Sequence, residues 1–329
     1  MRSLRKFFPK ITRDSQKAGA DPPRLSVIVI YFKMERQITN TLRSLLPPYQ
    51  QRVKKKEMEI LLVDNGSASE PLREDLWKLA RNVFYTHIPP GEAAPNPGVA
   101  INRAVRNARG EILCIMIDGA RMLSPGVLTW GLRLMEMGGP RAMVEVRGWH
   151  LGPKSQNESV AEGYTHETET ALLEKIHWQE NGYRLFSIAA ASAQTDGRPS
   201  ARVLESNCLF LRRDLFHEIG GYDERFREPG GGFVNLDFFG RAGAAASHVI
   251  TLLGEGTFHQ VHGGAATGLN KVQLEKSVER WTAETQRVRG DLRIAVHKRK
   301  LLLAGHMPDE YCQWLRAAGS AAPSSSPLT

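Results

Sequence analysis

Cysteines are scarce in this chain of 329 residues, which contains only Cys114, Cys208 and Cys312. An odd number of widely spaced cysteines builds no disulfide framework, and no Cys/His spacing in the sequence matches a zinc site. Cys114 and Cys208 lie inside apolar runs, where a thiol usually serves as a small buried hydrophobe. The 41% of hydrophobic residues is enough to build a core without crosslinks.

Long apolar runs are also missing. The apolar segment at residues 25–32 has the length of a strand, far below the roughly 18 residues that suggest a membrane helix. The N-terminal MRSLRKFFPK is basic, but no apolar segment with a cleavage site follows it. We therefore expect a cytoplasmic protein, and its basic ends would allow peripheral contact with the inner face of a membrane.

Two further absences exclude function classes. No G-x-G-x-x-G follows the first strand-like segment, which argues against a dinucleotide-dependent oxidoreductase. The net charge is +9, which fits nucleic acid, an anionic membrane or phosphorylated small molecules. The sequence has no ribonucleoprotein pattern and no zinc-finger spacing, so a nucleic-acid partner is not expected.

Buried strands alternate with helical patterns along the first third of the chain. Strand-like segments lie at residues 25–32, 58–65, 83–87 and 111–118, and helical spacing at residues 35–46, 70–79 and 99–108. This alternation predicts an α/β fold with a mostly parallel, Rossmann-like sheet covered by helices. Ligands bind such sheets at the carboxyl ends of the strands. Asp64 and Asp118 each end a strand, so both should lie at that edge.

Four motifs then follow one another in a specific order. They are LSVIVIYF with EILLVDNGS, NPGVAINRAVRNARGEILCIMIDGA, SNCLFLRRDLFHEIGGYDERF, and GGGFVNLDFFGRA with HQVHGGAAT. In order and spacing they resemble the family 2 glycosyltransferases, which have a GT-A fold, and they cover roughly residues 24–267. The resemblance implies transfer of a sugar from a nucleotide-sugar donor.

The resemblance, together with composition and helical pattern at the two ends, predicts a division of the chain. Residues 1–22 are expected to be a flexible basic N-terminus and residues 23–270 a GT-A-like domain. Within that domain, residues 23–121 form the nucleotide-sugar half and residues 122–270 the acceptor half. A C-terminal helical extension is predicted at residues 271–318, followed by a disordered tail at residues 319–329.

On the donor side, the resemblance implies that Asp64, Asn65 and Asn102 contact the nucleotide sugar. Asp118 matches the first carboxylate of a D-x-D signature, which binds a divalent metal, manganese or magnesium, on the donor diphosphate. The second carboxylate is replaced by Ala120, which puts a two-carboxylate site in doubt.

Three further residues could compensate for Ala120. The resemblance makes His262 the match for a histidine that completes the metal shell, with His259 as a second candidate; either could instead bind a phosphate directly. Arg121 either binds the diphosphate with its guanidinium or is a surface residue of a loop.

On the acceptor side, an ungapped match to the family places Asn235 where the catalytic carboxylate is usual. An amide cannot take a proton from an acceptor hydroxyl. Either Asp237, two residues later, is the base, or the base lies elsewhere, or catalysis is lost. Asp237 is the residue we predict. Glu205 either contacts a sugar hydroxyl or makes a hydrogen bond at a strand end.

The predicted function is transfer from a nucleotide-diphosphate sugar to a hydroxyl of a glycan, a polysaccharide or a lipid-linked sugar, and the resemblance implies inversion at the anomeric carbon. A catalytically inactive module that binds a nucleotide sugar or a glycan is the alternative, and Ala120 and Asn235 favour it.

Overall fold

The computed structural model describes residues 21–68, 82–192, 201–203, 205–263, 269, 271–291 and 300–320. Within them the chain forms a ten-stranded sheet. The strands are β1 (Leu25–Tyr31), β2 (Met58–Asn65), β3 (Val83–Ile88), β4 (Ile112–Met116), β5 (Arg121–Leu123), β6 (Ala142–Leu151), β7 (Ala189–Ala191), β8 (Cys208–Arg212), β9 (His248–His259) and β10 (Leu301–Gly305). The α-helices are α1 (Glu35–Leu45), α2 (Pro97–Asn107), α3 (Val127–Gly138), α4 (Gln156–Ala161), α5 (His166–Lys175), α6 (Arg213–Glu218), α7 (Val234–Ala245), α8 (Lys271–Arg289) and α9 (Asp309–Ser320).

Strands β1 to β4 form a parallel block in the spatial order β4-β1-β2-β3. Every residue of β1 and β2 is buried, which agrees with their continuous apolar sequences, because parallel strands are covered on both faces. Since the four strands run in one direction, Asp64 and Asp118 reach the same edge of the sheet. We call this the carboxyl edge. The predicted α/β fold is confirmed.

Strand β8 lies between β4 and β6 and runs antiparallel to both. Its first residue, Cys208, pairs with Met116, the last residue of β4. The chain therefore enters β8 at the carboxyl edge. Continuing this register by two residues sets Ser206 opposite Asp118.

Two helical layers cover the sheet and enclose its core. One face packs against α1 and α3, through residues such as Leu42 and Leu128. The other face packs against α2 and α7, through residues such as Ile101 and Phe238. These side chains recur at the three- and four-residue spacing of an apolar helix face, so the helices are held by the surface that they bury.

The C-terminal extension joins the same sheet. Strand β10 pairs in parallel with β9 along Leu301–Gly305, an element that the sequence pattern did not predict. Helix α9 packs on a third cluster of apolar residues through Tyr311, which makes an edge-on contact with Trp149 of β6. The extension is therefore helical at its two ends and adds a strand to the sheet between them.

The predicted strands and helices of the described segments are observed with small shifts at their ends. The predicted helix at residues 70–79, most of the N-terminal segment and the last nine residues lie outside the described residues. Of the helices that the structure describes, none is both long and apolar enough to span a bilayer.

Candidate functional site

Three potential metal ligands meet at the carboxyl edge. Asp118 follows β4, His259 ends β9, and His262 lies three residues further on. The Nε2 of His259 is 2.9 Å from Asp118 Oδ2 and 3.0 Å from the Nε2 of His262, which is itself 3.9 Å from Asp118 Oδ1. Ligand atoms from all three residues lie within 4.8 Å of one another. We call these residues the Asp-His-His cluster.

Backbone pairing explains how residues so distant in sequence come together. Strand β5 begins three residues after Asp118 and pairs antiparallel with the end of β9. In this register Arg121 lies opposite His259. The chain that leaves β4 is thus fixed directly to the strand that carries the histidine, and both side chains are held at one end of the sheet.

The segment that carries His262 is anchored by polar side chains of three helices. Gln37 of α1 donates to the carbonyl of Val261 at 2.7 Å, and Gln156 of α4 donates to the carbonyl of His262 at 2.8 Å. Glu169 of α5 accepts from the amide of Val261 at 2.8 Å. Because each of these side chains is buried, the backbone of His262 is held without help from a ligand.

The electrostatics of the cluster favour neutral imidazoles. Burial lowers the pKa of His262 to about 4, and burial also lowers the pKa of His259. Burial opposes the ionisation of Asp118, but His259 and Arg121 outweigh it and hold the pKa of this carboxyl well below its ordinary value. At neutral pH the cluster therefore offers one carboxylate and two imidazole lone pairs, the protonation states that bind a metal ion.

Arg121 is a buried residue of this site and not a surface arginine. Its side chain is 7% exposed. Its Nε donates to Asp118 Oδ2 at 3.1 Å, and its Nη1 reaches the hydroxyl of Thr257 at 3.4 Å. Gly148 leaves room for the guanidinium, since a Cβ at that position would come within 3.1 Å of Nη1. The arginine thus places a permanent positive charge beside the carboxylate.

Ala120 is fully buried and contributes only its backbone. Its amide donates to Asp118 Oδ1 at 3.0 Å, and its carbonyl accepts from the amide of Gln260 at 2.9 Å. The position of a second D-x-D carboxylate is therefore filled by a methyl group. The donor set that remains, one carboxylate and two imidazoles, suits manganese and other transition ions better than magnesium, which prefers oxygen ligands.

The two residues of the V-D-N-G-S turn have local partners. Asp64 is completely buried; it accepts from the amide of Ser67 at 2.9 Å and faces His87 Nδ1 at 3.2 Å. Asn65 donates to the carbonyl of Ala94 at 2.9 Å. These bonds fix the turn at the carboxyl edge, and contact of either side chain with a nucleotide stays a prediction.

Asn102 lies on α2 and holds the turn that follows α6. Its amide accepts from the backbone N–H of Tyr222 at 3.0 Å and donates to the carbonyl of the same residue at 2.8 Å and to Glu224 at 3.0 Å. It lines a cavity of about 630 Å³ together with Arg106 and Gly221. A donor-binding role for Asn102 stays a prediction.

Residues 26–159 match the family model described as glycosyl transferase family 2. Within this segment, which is less than half of the chain, the sequence is similar to family 2 glycosyltransferases. No curated protein matches the chain significantly by sequence.

Solved structures of glycosyltransferases share the fold of this chain. Residues 1–349 of TarS from S. aureus, in complex with UDP-GlcNAc, align with 80% of the chain at 14% identity and a TM-score of 0.51. GalNAc-T7 with UDP, GalNAc and Mn²⁺ aligns with 80% of the chain at 14% identity and a TM-score of 0.50. The chain spans 66% of that TarS fragment, 43% of the longer TarS chain and 48% of GalNAc-T7. At this identity the likeness shows a common GT-A fold.

The start of α7 brings Asn235 close to Glu205, at the residues that precede β8. Asn235, in the first turn of α7, donates to Glu205 Oε2 at 3.2 Å and to the carbonyl of Ser206 at 3.3 Å. Its own oxygen accepts from the hydroxyl of Tyr222 at 3.2 Å. Ser206 in turn donates its hydroxyl to the carbonyl of Val146 in β6 at 2.9 Å. Both candidates therefore lie at the carboxyl edge, where the chain enters β8.

Asp237 and Asn235 point in different directions from α7. Because they are two residues apart on a helix, their side chains are rotated by roughly 200° from one another about the helix axis. Asp237 accepts from Arg289 Nε at 2.6 Å and Nη2 at 2.7 Å, and from Arg241 Nε at 2.9 Å. Both of its oxygens are thus bound by guanidinium groups. Its role as a catalytic base stays a prediction, and its contacts are those of an ion pair that joins α7 to α8.

Sequence reasoning missed the residues that support the cluster. Gln37, Gln156 and Glu169 each carry a polar side chain into the protein interior. Gln37 is a polar residue on the buried side of the predicted helix at residues 35–46, but that pattern does not reveal its partner. Gln156 and Glu169 lie outside the helices predicted above. Gln260, whose amide bonds the carbonyls of Gln37 and Ala120, could have been noticed as part of the H-Q-V-H motif.

Proposed function

We propose that this chain transfers a sugar from a nucleotide-diphosphate sugar to a hydroxyl acceptor, with inversion at the anomeric carbon. The observation that carries the proposal is the Asp-His-His cluster, which lies with the buried Arg121 at the carboxyl edge of a family 2 glycosyltransferase domain. Ligands of open α/β sheets bind at this edge. Its combination of a cation site and a guanidinium suits a diphosphate.

On the donor side, the proposal assigns three tasks. Asp64 and Asn65 contact the nucleoside from the turn after β2. Asp118, His259 and His262 hold a divalent cation, which when bound neutralises charge on the departing diphosphate. Arg121 fixes Asp118 through its Nε and presents its charge to the diphosphate oxygens, because a guanidinium can donate to its carboxylate partner and to a phosphate at once.

For the acceptor, we propose a hydroxyl of a glycan, a polysaccharide precursor or a lipid-linked sugar. Peripheral membrane contact belongs to the same proposal. Trp281 of α8 is buried and packs edge-on against Phe233, so this aromatic side chain of the C-terminal extension faces the protein and not a membrane. Flotation with anionic vesicles at moderate salt would test membrane contact.

An inactive module that binds nucleotide sugars is the second candidate. The buried methyl group of Ala120 and the amide of Asn235 favour it, since they stand where the family usually has carboxylates. Such a module would bind the donor without turning it over.

Calorimetry with UDP, GDP and other nucleoside diphosphates, each with and without Mn²⁺, is the first experiment. Hydrolysis and transfer assays with the matching nucleotide sugars follow. Binding of one nucleotide together with release of nucleoside diphosphate supports the enzyme. Binding without any release favours the inactive module, and the absence of binding contradicts both.

A further inference from the structure

We propose that Glu205 is the catalytic base that takes the proton of the acceptor hydroxyl, and that Asn235 positions it. This inference rests on the proposed sugar transfer. It places the catalytic carboxylate at the entrance of strand β8 instead of on helix α7.

The first argument is location. Cys208 pairs with Met116, and both strands meet the carboxyl edge at this pair. Glu205 precedes Cys208 by three residues, and Asp118 follows Met116 by two. The two carboxylates therefore leave adjacent strands at the same edge. A base must reach the acceptor while the leaving diphosphate lies near Asp118, which requires that both carboxylates lie at one edge of the sheet.

The second argument is that a hydrogen-bond chain holds Glu205. The hydroxyl of Tyr222 donates to Asn235 Oδ1, and Asn235 Nδ2 donates to Glu205 Oε2. The same Nδ2 bonds the carbonyl of Ser206, which fixes the backbone next to Glu205. An amide at position 235 can donate to a neighbouring carboxylate, whereas a carboxylate there would repel it. Asn235 thus suits a site whose base is on the facing strand.

The third argument comes from the other carboxylates of this region. Asp64 is completely buried and accepts from Ser67, and Asp237 is bound on both oxygens by arginines. Glu145 is 1% exposed within the sheet. Glu205 is half-buried, and the bond from Asn235 holds its Oε2 in position. Access and position are what a general base needs.

The chemical step is balanced as follows. The acceptor oxygen forms a bond to the anomeric carbon while its proton passes to a carboxylate oxygen of Glu205. The bond between the anomeric carbon and the diphosphate oxygen breaks, and its electron pair leaves with the nucleoside diphosphate. The proton is later released to solvent. No oxidant or further reactant is involved.

The test compares Glu205→Gln, Glu205→Ala and a matched control, Glu224→Gln. Glu224 also accepts from an asparagine, Asn102, but lies at the cavity beside α2. With the nucleotide sugar that the wild-type enzyme turns over, we expect both Glu205 variants to lose about 10²- to 10⁴-fold in kcat, the usual contribution of a general base. The affinity for nucleoside diphosphate and the thermal unfolding midpoint should stay unchanged, as they should for Glu224→Gln.

Transfer to azide distinguishes a catalytic role of Glu205 from a structural one. Azide carries no proton to remove, so its transfer should be nearly as fast in Glu205→Ala as in the wild type, with formation of the inverted glycosyl azide. A base on Glu205 also predicts that the acidic limb of the pH profile of kcat/KM with a hydroxyl acceptor disappears in Glu205→Gln.

Three results would overturn the inference. They are unchanged turnover in Glu205→Gln, loss of turnover that azide does not restore, and an acidic limb that persists in the variant. Failure of the proposed function has a different signature, since the wild-type enzyme would then release no nucleoside diphosphate from any nucleotide sugar. Asn235→Ala should lower kcat less than Glu205→Gln and leave nucleoside diphosphate affinity intact.

Discussion

The Nε2 atoms of His259 and His262 lie 3.0 Å apart and both face the carboxylate of Asp118. Two neutral imidazoles can share one hydrogen between these two nitrogen atoms. The same nitrogen atoms and the Asp118 carboxylate are close enough together to bind one cation. Burial of the rings, 2% and 8% exposed, keeps them neutral at the pH of most assays.

The first prediction concerns the metal. His262→Ala removes one of three ligands, so Mn²⁺ affinity measured by calorimetry or by the loss of the free-ion EPR signal should fall. We expect at least the roughly 10- to 100-fold loss that follows removal of outer-shell partners. His217→Ala, which changes an exposed histidine of α6, should bind Mn²⁺ like the wild type. Equal Mn²⁺ affinity in both variants would exclude His262 as a ligand.

The second prediction concerns Arg121. Arg121→Ala removes a charged donor, and such hydrogen bonds contribute about 1.5–3 kcal/mol. Affinity for the nucleoside diphosphate should therefore fall about 10- to 100-fold, with and without Mn²⁺. Arg121→Lys keeps the charge but cannot reach Asp118 and a phosphate with one planar group, so it should recover only part of the loss. Unchanged affinity and turnover in Arg121→Ala would reduce this residue to a structural role.

The third prediction concerns Asp237. If its ion pairs with Arg241 and Arg289 are structural, Asp237→Asn should lower the free energy of unfolding by about 1.5–3 kcal/mol, the scale of hydrogen bonds to charged groups. Nucleotide affinity and kcat at low temperature should be preserved. Glu218→Gln, in an exposed pair with Arg141, should change stability little. Full loss of turnover in a stable Asp237→Asn protein would instead make Asp237 the base.

The fourth prediction is a pH dependence that arises from Glu169. Burial raises the pKa of this carboxyl from its ordinary 4.5 to about 8. Between these values the folded protein holds a proton that the unfolded chain has lost, so Glu169 makes stability fall as pH rises through this window. Glu169→Gln cannot ionise and should remove this fall.

The measurement for Glu169 is chemical denaturation of the metal-free protein at pH values from 5 to 8.5. The difference in unfolding free energy between Glu169→Gln and the wild type should grow with pH in favour of the variant. Glu174→Gln, an exposed position on the same helix, serves as the control. A difference that stays constant across the range would show that Glu169 ionises normally.

Much of the fold could be predicted because its signals are local. The continuous apolar sequences of β1, β2 and β4 and the spacing of α1 and α2 are typical of a covered parallel sheet, and the structure has these elements. Strand β10 was missed because residues 301–305 obtain their position from pairing with β9, and a five-residue apolar segment carries no periodicity that separates a strand from a helix.

The site was predictable as far as family motifs reach. Asp118, His259 and His262 were named from the sequence, and they lie together. The orientation of Arg121 and the anchoring of the His262 segment by Gln37 and Glu169 were not predictable. The contacts of Arg121 with Thr257 and of Gln37 and Glu169 with Val261 each join residues more than ninety positions apart. The contact of Arg121 with Asp118 is local, but it depends on how a buried side chain is oriented. The bond between Asn235 and Glu205 is of the same kind: thirty residues separate the two.

The pairing of β5 with the end of β9 has a consequence for synthesis. Asp118 leaves the ribosome 141 residues before His259, so at elongation rates of about 5–20 residues per second the aspartate waits roughly 7–28 s for its first histidine. During that interval the nascent chain has the carboxylate but lacks both imidazoles. The Asp-His-His cluster is thus a late product of translation, and ribosome-bound chains that end before residue 262 should be unable to retain a cation there.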